Sequence, residues 1–475
     1  MHTSVVGGAV VVVTGVLLSG CAVVRTDQDF AALRTAVSQR TGAQPKWYAL
    51  SPEDAQVQNR TREVLSGELT VESAVELALL NNRRLQAGYQ ELGVARADLV
   101  QAGLLMNPVL SADATFGLNA SGYGVAVGLV QNFMRAFQIP LRKRVAAAAL
   151  QEATFSVASQ VIDLVVDVKR AFVKAQADSQ LVEVDRNIVE ATRLSSEVAQ
   201  KQRIAGNITD LDLSNEVALF EEARVKLAAA EAEAVVSREE LTGLMGLWGP
   251  EAAWTLAARL PDPAGDMPLA GLESAAIAQR VDLAAAREAV NVVYQGLGLT
   301  GVYGVLTDAE LGPEVERDID GGIWSMGPLL SIPLPIFDQG QATRASALAR
   351  LRQTQERFTA LAVEIRSQVR RDHARLVAAQ ALADHYRRVV LPLRSRITEN
   401  AQLQYNAMQI GPFQLFQAKQ AQIDAGRDYL QRVRDYWLAR ADLEGAVGGA
   451  LSSAEHAQTI SFSEGLTAGH KGEHP

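Results

Sequence analysis

Gly296-Leu297-Gly298-Leu299-Thr300-Gly301 spells G-x-G-x-x-G, the spacing with which a glycine-rich turn cradles a dinucleotide pyrophosphate. That chemistry needs a strand before the turn and a helix after it. Here a helical pattern comes first and an alternating pattern follows, so the glycines read as a flexible link into a strand. No Walker A sequence, H-E-x-x-H or G-x-S-x-G stands anywhere in the chain. Of the six histidines, His373 and His385 fall among arginines and aspartates on a long helix, which a solvated face explains. His470 and His474 lie in a polar tail, where metal capture is the alternative reading. The seven methionines are unclustered, so no Met-rich copper path is visible. The expectation is a chain without catalytic residues, cofactor or resident metal.

The one cysteine is chemically distinctive. Val5 to Leu18 is an apolar run ending in Leu18-Ser19-Gly20-Cys21. The run is short and N-terminal, as in a secretory signal peptide. A lone thiol in an oxidising compartment has no disulfide partner. Leu18-Ser19-Gly20-Cys21 resembles the bacterial lipoprotein box, which implies acylation of Cys21, with Ala22 implying sorting to the outer membrane. An ordinary signal peptide with an incidental cysteine is the bland alternative. Acyl chains anchor through about 0.8 kcal/mol per buried CH₂.

The elements around these residues come in duplicate, and a duplication decides the architecture before any other pattern does. Ala78 to Ala87 lines up with Ala276 to Ala285, and Ile139-Pro140-Leu141 with Ile332-Pro333-Leu334. Each unit is a helical run, two short strands and a longer helical run with a reversal. The expected organisation is a signal peptide over 1–20, a lipidated arm over 21–69 and a first repeat over 70–247. A linker follows over 248–269, then a second repeat over 270–449 and a polar tail over 450–475.

Leu110 to Leu118 and Tyr123 to Leu129 alternate apolar and polar or small residues around Asn119-Ala120-Ser121-Gly122, a hairpin signature. In the second repeat Tyr303 to Leu311 alternates, a loop is expected over Gly312 to Gly322, and Trp324, Met326, Leu330 and Ile332 share a face of the return strand. Pro328 suggests an edge or a bend. Strands that are apolar on one side and polar on the other suit a membrane barrel. Four strands per chain cannot close one, and lipid does not tolerate open edges. Either several chains share a barrel, or the hairpins are soluble and pack on the helices.

From Leu141 to Ala205 there is no proline. Val157, Val161, Leu164, Val168, Ala171 and Ala175 recur at coiled-coil spacing. Such a helix would span roughly 100 Å. It breaks at Gly206-Asn207-Ile208-Thr209, and a partner helix runs from about Asp210 to Met245. The matching run goes from Asp338 to about Met408 with a kink at Pro392, turns near Gln409 to Pro412, and returns from Gln414 to Val447. Gly411-Pro412 fits a stop followed by a helix start. Asp210 reads as an N-cap and Asp212 as a first-turn acid.

With 48% hydrophobic but only 5% aromatic residues, the composition favours long helices over compact mixed domains. A net charge of −9 argues against nucleic acid as a partner.

Over residues 69–449 the chain resembles the TolC family of outer-membrane efflux proteins. Leu69 to Ala74 leading to Ala78-Leu79-Leu80-Asn81-Asn82 resembles the family's first helix. Ile332 to Gly340 resembles the segment after its last strand. Ala205-Gly206-Asn207-Ile208 and Tyr405 to Ala418 resemble its two helical tips. The resemblance implies a mainly α fold with a small β part, in which three chains build an α-helical barrel topped by one β-barrel. It implies a passive export duct for metal cations or small molecules. Its partners would be a periplasmic adaptor protein, an inner-membrane pump of the resistance-nodulation-division class and outer-membrane lipid. The similarity of Tyr405 to Gln420 to cation-efflux members leans the cargo towards metal cations. A type I secretion duct and a periplasmic coiled-coil scaffold are the alternatives. The tip residues Gly206, Asn207, Ile208, Thr209, Gly411 and Pro412 would dock the adaptor. Family members often carry acidic rings on the last hairpin; the matching positions here are Gln414 and Gln417, uncharged. Asp210, Asp212, Tyr405, Gln414 and Gln417 are thus the residues expected at the entrance.

Overall fold

The computed structural model describes residues 24–47, 53–116, 123–256, 259–263, 270–300, 308–318 and 323–451. The signal peptide, Cys21, the Asn119–Gly122 turn, Tyr303 to Thr307 and the tail from 452 lie outside the described residues.

Two helices, α1 (Asp27–Thr41) and α2 (Glu53–Leu65), precede a two-residue strand β1 (Glu68–Leu69). Then come α3 (Val71–Asn81) and α4 (Arg83–Ala102). Thr70 starts α3 by a reciprocal box with Ser73. Buried Asn82 separates the two helices: its side chain accepts from Leu85 N–H at 3.0 Å and donates to the Leu244 carbonyl at 2.9 Å. Strands β2 (Val109–Phe116) and β3 (Tyr123–Asn132) lead into α5 (Met134–Ile204) and α6 (Asp210–Met245). Beyond β4 (Thr255–Leu256) the order recurs as α7 (Leu272–Gln279), α8 (Val281–Leu297), β5 (Glu310–Arg317), β6 (Trp324–Ser331), α9 (Gln341–His385), α10 (Leu391–Asn406) and α11 (Pro412–Val447).

The expected coiled-coil seam is the core of the first half. Val157, Val161 and Val168 are fully buried and Ala171 and Ala175 nearly so, packed with Leu77, Tyr89, Leu241 and Met245. A second core joins α7, α8, α9 and α11 through Ile365, Val369, Tyr436 and Leu443. A kink is expected from sequence at Pro392, and the helix changes its hydrogen bonding just before it. A π-turn over Tyr386–Val390 absorbs the hydrogen bond that proline cannot donate.

Three features differ from the sequence reading. First, Gly312 to Arg317 is strand, not loop. Val315 faces outward between inward-facing Glu314 and Glu316, so the alternation continues through what looked like a Gly-Pro turn. Pro313 lies opposite Pro328, and Gly312 is needed there because a Cβ would fall 1.9 Å from the Leu129 carbonyl oxygen. Second, the repeats part at their matching prolines. Pro140 lies inside α5, whereas Ile332 to Gly340 stays non-helical, with Gly340 at φ 78° before α9. Third, β1 and β4 form a parallel pair, Glu68 with Thr255 and Leu69 with Leu256, which stitches the arm to the linker. Two-residue strands carry too little alternation to be read from sequence.

The sheet is a single layer, and the long helices form a layer against which α1 and α3 also pack. The sheet order is β2-β3-β5-β6, antiparallel throughout. Beneath it α4 packs on α5, α5 on α8 and α8 on α9. Lower down the order is α6, α5, α11, then α9 and α10.

Candidate functional site

The four-stranded sheet sorts its side chains by face. Strand register puts Leu110, Ala112, Ala114 and Phe116 beside Leu129, Val127, Val125 and Tyr123. Val315 and Leu311 extend that face to Met326 and Leu330. Among the described residues the opposite face carries Asp113, Glu310, Glu314 and Glu316 and no lysine or arginine. At the end away from the helices stand Phe116, Tyr123 and Trp324, with the Arg317 guanidinium 4.3 Å from the Tyr123 ring centroid. Aromatic girdles of this kind mark the water interface of membrane barrels. Ten residues of β3 extend roughly 33 Å, or about 25 Å of height at the tilt of a barrel strand. Glu314, Glu316 and Arg317 were missed as wall residues because the Gly-Pro pair looked like a turn; the continued alternation was the available signal.

At the opposite extreme are the two helical reversals. Gly206, at φ 78°, closes α5: its N–H donates to the Arg203 carbonyl at 3.0 Å and Asn207 N–H to Gln202 at 2.9 Å. In the second reversal Met408 N–H donates to Tyr405 at 2.9 Å and Gln409 N–H to Gln404 at 2.8 Å. The bonding is the same, a Schellman closure, but Met408 holds φ 58° with a full side chain, 94% exposed. Among the described residues it is the one non-glycine at positive φ.

Each reversal then caps the returning helix. Thr209 and Asp212 form a reciprocal box: Asp212 N–H donates to Thr209 Oγ1 at 3.1 Å, and Thr209 N–H to Asp212 Oδ2 at 3.0 Å. The Thr209 hydroxyl, then its N–H, hold the Asp212 carboxyl below the usual range. Asp210 lies in a two-pronged pair with Arg203, Nε to Oδ1 at 2.6 Å, which lowers its pKa as well. Ile208 sits in the turn between these caps. In the second reversal Gly411 is the N-cap and Gln414 Oε1 accepts its N–H at 3.1 Å. Gly411 has no side-chain oxygen to return the bond, and Pro412 has no N–H to satisfy. Gln417 is exposed one turn on, and Tyr405 contributes its carbonyl to the closure. The structure thus brings the expected residues together at two matching turns. It engages both aspartates and Gln414 in local bonds.

Between the reversals and the cores, the two halves meet along α5 and α11 through ion pairs. Lys169 Nζ lies 2.6 Å from Glu444, Arg170 Nε 3.2 Å from Asp442, and Arg427 Nε 3.1 Å from Asp185. Asp185 is 1% exposed, and burial pushes its carboxyl up despite Arg427 and Lys226 nearby. Asp178 is raised by burial in the same way, beside a cavity of about 360 Å³ that Arg427 and Arg434 also line. Helical periodicity does not say what an adjacent helix covers, so these pairs are not visible in the sequence pattern. Among the described residues no cluster of three or more His, Cys, Asp or Glu could hold a metal ion. Gly296 lies in the last turn of α8 and Gly298 opens a short 3₁₀ turn, so the glycine motif begins at the end of a helix.

The outer membrane efflux protein family matches over residues 74–247. The cobalt-zinc-cadmium resistance protein CzcC of Cupriavidus metallidurans is 25% identical over 406 residues, covering 82% of this chain and 89% of that protein. The chain is thus similar to outer membrane efflux proteins over residues 74–247. Its fold matches crystal structures of CusC, with a TM-score of 0.67 at 17% identity over 81% of this chain and 93% of that one. It also matches the Campylobacter jejuni outer membrane channel CmeC, with a TM-score of 0.68 at 14% identity over 81% of this chain and 87% of that one. The family is one of transport ducts.

Proposed function

We propose that three copies of this chain close into one passive duct, through which a tripartite efflux system exports metal cations. The observation that carries the reading is the pair of open edges on both the sheet and the layer of long helices. The sheet ends in unpaired β2 and β6, and the helical layer ends in α4 or α6 on one side and α9 or α10 on the other. An unpaired strand edge in lipid costs several kcal/mol per backbone group. A ring of copies removes every edge and places the acidic sheet face around the lumen. That face supports a cation cargo, since carboxylate-lined walls concentrate cations. The relative CzcC, named for cobalt, zinc and cadmium resistance, supports it independently.

The reversals are the proposed docking ends. Ile204, Leu211, Leu403 and Met408 are exposed apolar residues there, suited to a periplasmic adaptor that links the duct to an inner-membrane pump. Lipidation at Cys21 would add an anchor beside the barrel. The domain boundaries expected from sequence, from the arm at 21–69 to the second repeat at 270–449, are retained as part of this proposal.

Purified protein in planar bilayers should open water-filled channels whose reversal potential in a salt gradient favours cations. A scaffold would conduct nothing, and an anion-preferring pore would remove the cation reading. A monomeric mass after mild detergent extraction would refute ring closure. A deletion strain should become sensitive to cobalt, zinc or cadmium; sensitivity to organic drugs alone would move the cargo.

A further inference from the structure

Two exposed apolar segments lie where the sheet joins the helices, one beside each open edge. Leu104, Leu105 and Met106 immediately precede β2. Leu334, Ile336 and Phe337 immediately follow β6, with Phe337 at 92% exposure and Leu334 at 76%. Neither is a loose thread. The Met106 carbonyl accepts from Gln131 Nε2 at 2.8 Å. Ile336 N–H donates to the Leu334 carbonyl at 2.9 Å, and Asp338 and Gln341 side chains accept from Gly340 and Gln339 N–H at 2.8 Å. Large apolar groups held in place and left in solvent indicate a surface completed by something else.

The sheet order decides what completes it. All pairings in the sheet are antiparallel, so a ring continues the alternation when β6 of one copy meets β2 of the next. Antiparallel pairing sets the end of β6, Ser331, against the start of β2, Val109. The residues just past the one then lie beside the residues just before the other.

The geometry points to a chain-to-chain clasp at the base of the barrel, in which Leu104 to Met106 of one copy pack against Leu334 to Phe337 of the next. This rests on the ring-closure reading above, and its occupant is a second copy of the chain. The clasp would lock each junction on the periplasmic side, where strand hydrogen bonds have ended and the helical layers have not yet met.

The test is cross-linking of the full-length protein. Met106→Cys and Leu334→Cys are combined, with Leu105→Cys and Phe337→Cys as a second pair, retaining Cys21. Oxidation or a short bismaleimide should give covalent dimers and closed rings on denaturing gels from the pairs, and none from any single variant. Native mass is measured on the same samples. Rings of wild-type mass with no cross-link from either pair would overturn the clasp and leave the ring standing, as expected if lipid covers these residues. A monomeric mass would overturn both. Phe337→Asp with Leu334→Asp should abolish detergent-resistant rings; rings as resistant as wild type would also overturn the clasp.

Discussion

Met408 is expected to weaken the turn it occupies. Its φ of 58° matches the 78° of Gly206 at the other reversal, and both turns close with the same pair of backbone bonds. A residue with a Cβ costs roughly 1–2 kcal/mol in this left-handed region. Met408→Gly removes that strain and adds unfolded-state freedom that costs about 0.4–1 kcal/mol. The difference is a net stabilisation of roughly 0.7 kcal/mol, or about a threefold change in a local opening equilibrium. The side chain is 94% exposed, so no packing is lost in return. Hydrogen exchange by mass spectrometry, corrected for intrinsic rates, is the suitable assay, because opening of a tip is local and a melting curve would miss it. Protection of the 408 and 409 amides should rise about threefold in Met408→Gly. Gly206→Ala should do the opposite, with the 206 and 207 amides exchanging about threefold faster for a net cost of roughly 0.7 kcal/mol. Unchanged or faster exchange at 408 and 409 in Met408→Gly would refute the argument that this turn is strained.

The two tips should differ in acid. Asp212 is depressed by its bonds to Thr209, so its contribution is present above the unfolded value of about 3.9 and is lost as pH falls through the lower folded value. Protection of the 209–213 amides should fall in that window, while the 411–415 turn, capped by neutral Gln414, holds; Asp212→Asn should remove the difference. Along the seam between halves, Arg427→Gln should destabilise by about 3 kcal/mol, because it leaves Asp185 buried without its cation. Asp185→Asn combined with Arg427→Gln should recover most of that in denaturant unfolding; a double variant as weak as the single would place the cost elsewhere. Gly312→Ala should prevent detergent-resistant rings from forming, since its Cβ would meet the Leu129 carbonyl at 1.9 Å. Normal rings would show that β3 and β5 can separate locally.

The duplicated pattern, the length of the helices, the position of both reversals and the first β-hairpin were legible in the residues. These are local properties. Hydrophobic period, glycine and proline punctuation and cap chemistry act over a few residues, and the α6 span of Asp210–Met245 is where the caps place it. The family resemblance then organised them into one architecture. Three things were decided only in space. The acidic face of the sheet needed β5 to run through Gly312-Pro313, which depends on neighbouring strands on both sides. The buried pair of Asp185 and Arg427 needed α11 laid against α5, and no period in either helix records that contact. The strain at Met408 needed the turn itself: the sequence shows a methionine, and only the backbone shows it standing where the first repeat uses a glycine.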